Sequence, residues 1–349
     1  MTDSSTTRGT SRPLRLGDPE VHAVRTPDNV ELRLTRHKGG PKGPVILAPG
    51  YGTSTLALAT PTVETNFPEY LYERGYDVWL FDYRASPVLP SAATQYSADE
   101  IATHDWPTAV KAVIDASGAG SVQVGAHCIG SMTLNMALAA GMKGVRSAIS
   151  SQVALHPKVV PMVRAKAVLR LATLLKLVGA KTLSSNYSGS AGHRAMDLAM
   201  HLWPTHERCD SPVCRRILFL YGEVFRHDYL NDETHATVPE MFGIANLTFF
   251  EHVSRICAAG RVVDAQGEDT YLSHVDNMDL PITWVHGERN NFFPPVGTKM
   301  TYDLLSKVNG PDLYRRVVVP GYAHMDFFIG RDAHRDIFPL LHEDMERFN

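Results

Sequence analysis

The amino-acid sequence predicts an α/β fold: a mostly parallel central sheet with helices on both faces and an inserted helical cap. Three observations lead there. Segments such as PVILAPGYGTS (44–54) and DVWLFDYR (77–84) carry continuous apolar runs, the pattern of strands buried on both faces. Helix-forming stretches fall between these runs at the spacing of strand–helix–strand units. From about His156 to Asp279 that alternation stops, in an insertion too long for a loop.

In chain order, residues 1–17 are polar and Ser/Thr-rich and read as a mobile tail. VHAVRT (21–26) and VELRLTRH (30–37) alternate in strand fashion across Pro27-Asp28-Asn29, an antiparallel hairpin. After the strand at 44–54, residues 66–75 read as a helix ended by Gly75, and 77–84 as the next buried strand. The stretch 97–119 opens with Ser97 and Glu100 in capping-box register and ends at Gly118, with Pro107 predicting a kink or break. SVQVGAHCIGSMTLNMALAA (121–140) reads strand–turn–helix, and VRSAISSQVAL (145–155) as another buried strand.

The segment 159–180 reads as one amphipathic or buried helix, and RILFLYG (216–222) as a short strand. The sheet resumes with PITWVHG (281–287) and YRRVVVPG (314–321), and a last helix covers about 333–347. The organisation expected is therefore a tail at 1–17, a core at 18–155 and 280–349, and a helical cap at 156–279.

Composition narrows the function. With 349 residues, 44% of them hydrophobic, the chain can bury a large core, and a formal charge of −3 implies neither a nucleic-acid nor a membrane-surface partner. The N-terminus lacks the apolar core of a signal peptide and no stretch approaches a membrane span, so a soluble, cytoplasmic protein without stable membrane insertion is expected. Four cysteines are too few and scattered for a disulfide framework. Cys209 and Cys214 have a metal-like spacing, but no second pair or His pair at ligand spacing completes a site, so neither metal nor cofactor is expected.

Ala126-His127-Cys128-Ile129-Gly130 occupies the turn between strand and helix. A nucleophile elbow is written G-x-S-x-G: the central side chain stands clear of a strained turn, and small residues two before and two after let the backbone pack closely. Here Ala126 replaces the first glycine and Cys128 holds the nucleophile position, beside helix amides that favour thiolate. Ser131, one turn into the helix, is expected to bond back to the preceding turn, and His127 to point elsewhere.

Such a nucleophile needs a base, and the base an orienting group. His324, in PGYAHMDFFIG (320–330), follows the last strand and reads as the base; Asn290, in HGERNNFFPP (286–295), stands where an orienting residue is expected. Asn can accept the imidazole N–H without supplying charge. Glu288, Asp228 and Asp326 are the alternatives. Oxyanion donors are expected from the amides of Ile129, in the elbow, and Tyr51, in PGYGTS (49–54).

These motifs, in this order, resemble the α/β-hydrolase superfamily over roughly residues 20–349. DVWLFDYR, ATHDWPTAV and GYAHMDFFIG look like its acid-lipase branch, which carries a helical cap in the predicted position. Closest is the resemblance to hydrolase-like domains fused to cholesterol-oxidase-type flavin oxidoreductases, which share the AHCIGS elbow and G-x-x-N turn; without a dinucleotide fingerprint this chain would be a free-standing version. Acid lipases carry serine and aspartate where Cys128 and Asn290 stand. The G-x-C-x-G form is similar to polyhydroxyalkanoate synthases and dienelactone hydrolases, which implies acyl transfer in general. The expected function is hydrolysis of an ester, lactone or thioester with a hydrophobic acyl group, on a small molecule or a carrier, through acyl-Cys128. An acyltransferase or cyclase with a non-water acceptor and a non-catalytic binding protein are the alternatives. Oligomeric state is not legible.

Overall fold

The computed structural model describes residues 12–168, 171–177, 179–201 and 207–348. Among these, eight strands form one sheet in the order β1-β2-β4-β3-β5-β6-β9-β10. β1 (Pro19–Arg25), β2 (Glu31–His37) and β4 (Asp77–Asp82) pair antiparallel in succession. β3 (Pro44–Ala48), β5 (Val122–His127), β6 (Val145–Ser151), β9 (Ile282–Gly287) and β10 (Tyr314–Val319) continue the sheet from β4 in parallel. Every residue of β3, β4, β5 and β9 is buried, which explains their largely apolar character. The edge strand β1 is largely exposed and carries Glu20, His22 and Arg25, which discourage pairing with another chain.

The core helices are α1 (Phe67–Tyr72), α2 (Ala98–Glu100), α3 (Trp106–Ser117) and α4 (Ile129–Ala139). Ser97 and Glu100 form the expected capping box. Pro107 causes no break. The helix runs on through it, because a wider π-helical turn at Ile101–Asp105, closed by the Trp106 N–H on the Ile101 carbonyl, lies directly before Pro107 and makes room for its ring. Arg84, following β4, and Asp105 are both buried and pair at 2.7 Å, so the DVWLFDYR and ATHDWPTAV motifs meet as one ion pair.

Between β6 and β9 lie α5 (Pro161–Val168), α6 (Leu171–Leu177), β7 (Thr182–Ser184), α7 (Ala191–Met200), α8 (Pro212–Tyr221), α9 (Asp232–Met241), β8 (Ile244–Asn246) and α10 (Leu247–Ala259). β7 and β8 make a two-stranded antiparallel ribbon. Of the helix expected over 159–180, Pro161–Val168 and Leu171–Leu177 are helical, and 169, 170 and 178 lie outside the described residues. One expectation needs correction here. Residues 216–221 belong to a helix that Gly222 ends, because Ser211 caps it and Pro212 starts it, a start signal stronger than a short apolar run.

The chain closes with α11 (Val296–Asn309), α12 (Asp326–Ile329), α13 (Ala333–Asp336) and α14 (Phe338–Glu346). Residues 1–11 of the expected tail lie outside the described residues. Residues 12–17 are tied down: the Arg12 guanidinium bonds both carboxylate oxygens of buried Glu69 at 2.6 and 2.7 Å, and the Arg15 N–H reaches the same group. Among the described residues, no helix is long and apolar enough to cross a membrane.

Register brings the carboxyl ends of five strands to one edge. Ala48 pairs with Ala126, Ser151 with both His127 and Val285, and Gly287 with Val319. Loops following these positions therefore converge, as ligand sites of open α/β sheets do.

Candidate active site

Cys128 is the hinge between β5 and α4, with φ 54° and ψ −124°. A side chain larger than glycine rarely adopts this conformation, and such strain gathers at functional turns. The surrounding structure holds it: the Cys128 N–H donates to the Ser151 carbonyl, and its own carbonyl accepts from Met132. Gly130 is required one turn on, because a Cβ there would lie 2.4 Å from the Pro49 carbonyl oxygen. That close approach sets the PGYGTS loop beside the elbow.

The backbone amides of Ile129 and Tyr51 both act on the Cys128 thiol and favour its charged form. Two converging amides are the donor set an oxyanion needs. Burial nevertheless dominates, and it pushes the thiol up to about 12, so Cys128 is a neutral thiol at rest. The side chain faces an apolar cavity of about 60 Å³ that Cys128 shares with His127 and His324. From the segment between β6 and β9 come Tyr221, Val224, Phe242, Phe249, Phe250 and Val253, which form its far wall.

His324 is buried, and burial together with neighbouring His127 and His286 holds it well below the usual imidazole range. Its loop is drawn to the end of β9 at Gly287, where an added Cβ would sit 2.0 Å from the Ala323 carbonyl oxygen. Nδ1 lies 2.8 Å from Asn290 Nδ2, and Nε2 has no protein partner.

The contact with Asn290 has the polarity opposite to that expected from sequence. Asn290 Oδ1 accepts the N–H groups of Phe292 and Phe293 at 3.0 and 2.9 Å. Its Nδ2 donates to Gln152 Oε1 at 2.9 Å, an oxygen that also accepts the Gly287 N–H. With three backbone donors fixing both carboxamides, the second Nδ2 hydrogen points at His324 Nδ1, which must accept it. The neutral ring therefore carries its proton on Nε2.

The alternative partners lie elsewhere. Glu288 accepts the Gly321 N–H, and Asp228 pairs with Arg226 on the surface. Asp326, raised to about 7 by burial, accepts the Ala323 and Arg226 amides. Ser131 bonds the Val153 carbonyl and the Ser150 hydroxyl on the β6 side, not the preceding turn. His127 also departs from expectation: its ring lies 4.7 Å from that of His324. Burial holds it down to about 3, and its Nε2 has no protein partner.

Sequence reading missed Gln152, a buried residue with φ 75° just beyond β6, for which only a non-glycine left-handed conformation would have been a signal. It also missed Tyr221, whose buried hydroxyl lacks a protein partner in the cavity wall. The conclusion that Cys209 and Cys214 find no completing pair is corrected as well. Among the described residues, the fold gathers Cys209, Cys214, His227 and His235 so that their ligand atoms all lie within 4.8 Å of one another.

A sequence profile of the alpha/beta hydrolase fold matches residues 43–330. A probable lipase of Schizosaccharomyces pombe is 23% identical over 374 aligned positions, covering 95% of this chain and 75% of that protein. A soluble variant of monoglyceride lipase from Saccharomyces cerevisiae, solved with a substrate analogue, superposes with a TM-score of 0.61 at 13% identity, over 97% of this chain and 98% of the other. A Pyrococcus furiosus esterase gives 0.55 at 14% identity over 95% and 93%. At such identities the superpositions speak for the fold.

Proposed function

This chain belongs to the alpha/beta hydrolase fold family, and from that premise we propose that it is a cysteine-dependent acyl-transfer enzyme. Its substrate is an ester, lactone or thioester with a hydrophobic acyl group, released to water through an acyl-Cys128 intermediate. The observation that carries this reading is the strained elbow at Cys128, whose thiol is acted on by the Tyr51 and Ile129 amides in a cavity shared with His324. In the forward step Sγ bonds the acyl carbon and the carbonyl oxygen takes the electron pair, held by those two amides. The thiol proton passes to His324 Nε2 and from there to the leaving group as its bond to the acyl carbon breaks. Water, deprotonated by His324, then cleaves the thioester.

Transfer to Nε2 needs the tautomer with hydrogen on Nδ1, and the Asn290 network favours the other. The proposed mechanism thus includes a turn of the Asn290 carboxamide that offers Oδ1 to Nδ1–H. Until it turns, thiol and imidazole are both neutral and the site is idle.

The apolar wall suits an acyl chain or a polycyclic group, in keeping with the resemblance to domains fused to sterol-type oxidoreductases. The same wall excludes water, which favours a second reading: an acyltransferase or cyclase with an alcohol, amine or internal acceptor. The free cysteines among the described residues fit a reducing, cytoplasmic setting.

Intact-mass analysis after exposure to p-nitrophenyl acyl esters tests the reading. An adduct present in the wild type and absent in Cys128→Ala supports acyl transfer. Faster decay with an added alcohol or amine than in water selects the transferase reading, and no adduct across several acyl lengths overturns both.

A further inference from the structure

Four side chains outside the active site make a set that the proposed chemistry does not use. Cys209 precedes α8, Cys214 lies in its first turn, His227 sits in the 3-10 turn His227–Tyr229, and His235 is in α9. Cys214 Sγ is 3.2 Å from His235 Nε2, and the two imidazoles meet edge to face with centroids 5.0 Å apart. Tetrahedral zinc, with Zn–S of about 2.3 Å and Zn–N of about 2.0–2.1 Å, spaces its ligands roughly 3.3–3.8 Å apart. Atoms all within 4.8 Å need only a small closure to reach that shape.

A second observation points at the same centre. The Glu207 carboxylate accepts both the backbone N–H and Nδ1–H of His227, each at 2.9 Å. With Nδ1 taken by Glu207, His227 Nε2 is the ring nitrogen left for a ligand, and it is buried. A carboxylate holding the distal nitrogen of a ligand imidazole is the usual support of a metal-bound histidine.

We propose that Cys209, Cys214, His227 and His235 bind one zinc ion in a closed tetrahedral site that ties together the segments forming the far wall of the active-site cavity. Two thiolates and two neutral imidazoles match a borderline-soft divalent ion and offer little to calcium or magnesium, which take oxygen. Two thiolates balance the charge of the ion and leave a site of zero net charge, which can be buried. With all four positions filled by protein, the ion binds no substrate.

Its leverage comes from connectivity. Between the two histidine-bearing segments and the cysteines, the Val224 carbonyl accepts the Met325 N–H at 2.8 Å and the Arg226 N–H reaches Asp326, fastening this segment to the His324 loop. α8 ends at Tyr221 and α9 leads into Phe242, both in the cavity wall.

The test uses the full chain, purified without added metal or chelator, and elemental analysis of its zinc content. The protein is then stripped under reducing conditions and titrated with cobalt(II) alone. One zinc per chain, and a thiolate-to-cobalt charge-transfer band with intense tetrahedral ligand-field bands, are expected. Cys209→Ser/Cys214→Ser should lose both, whereas Glu207→Gln, which keeps all four ligands, should weaken affinity about 10–100-fold. Failure of reduced, folded wild type to give the tetrahedral spectrum overturns the proposal, as does undiminished zinc in the double cysteine variant. A Cys209–Cys214 disulfide in protein purified from reducing cytosol overturns it too. None of these results depends on whether Cys128 is acylated.

Discussion

Asn290→Asp should activate the enzyme. In the wild type, bringing hydrogen to His324 Nδ1 requires the Asn290 carboxamide to turn, which sets its NH2 against the N–H groups of Phe292 and Phe293. Leaving two buried donors unsatisfied costs about 1–3 kcal/mol each, or about 2–6 kcal/mol together. A carboxylate lowers that cost: one oxygen keeps the two amides and the other accepts Nδ1–H. Gln152 then turns its Nε2, which has no partner in the wild type, toward the new carboxylate and gives up the Gly287 N–H, so one buried donor is stranded where the wild type strands two. The reverse change in serine-protease triads, aspartate to asparagine, lowers the rate about 10⁴-fold by imposing the wrong tautomer. The net saving of one buried donor, about 1–3 kcal/mol, at about 1.4 kcal/mol per tenfold predicts that acylation in Asn290→Asp rises by roughly 5-fold to 140-fold. The assay is single-turnover release of p-nitrophenol with enzyme in excess, beside a thermal melt to verify folding. A folded variant that acylates no faster than wild type would refute the assigned polarity of the Asn290–His324 contact.

Cys128, held at about 12, should alkylate about tenfold faster for each pH unit between 7 and 10, because only the thiolate reacts and its fraction grows as pH climbs toward that value. Peptide-resolved iodoacetamide labelling measures this, and a plateau below pH 8 would instead mean a resting thiolate–imidazolium pair. Arg84→Met strands the buried Asp105 carboxylate and should cost about 3–5 kcal/mol, read as a lower urea midpoint with unchanged slope. Gly130→Ala drives a methyl group against the Pro49 carbonyl; it should cost about 1–3 kcal/mol and, by shifting the Tyr51 amide, slow acylation about 10²–10³-fold. Wild-type acylation rates in a folded Gly130→Ala variant would show that Tyr51 is not a donor.

The sequence by itself determined the frame of the molecule. Strands buried on both faces must be largely apolar, so β3, β4, β5 and β9 are legible as largely apolar runs, and the elbow is legible because Gly130 and a small residue at 126 are steric requirements of a strand-to-helix turn. Chain order then identified His324 and Asn290 as neighbours, since loops after successive parallel strands share one edge of the sheet.

Tertiary structure decided what depends on a group's surroundings. Which end of the Asn290 carboxamide faces His324 is set by three backbone N–H groups from Phe292, Phe293 and Gly287, and no local pattern encodes their directions. The protonation of Cys128 follows from the burial of the whole cavity, which outweighs the local pull of the helix amides. His227 and His235, too far apart along the chain to match a ligand motif, meet Cys209 and Cys214 only because α8 and α9 pack side by side. Spacing reports on contacts within one turn of a helix or loop, and a site assembled from three segments lies beyond its reach.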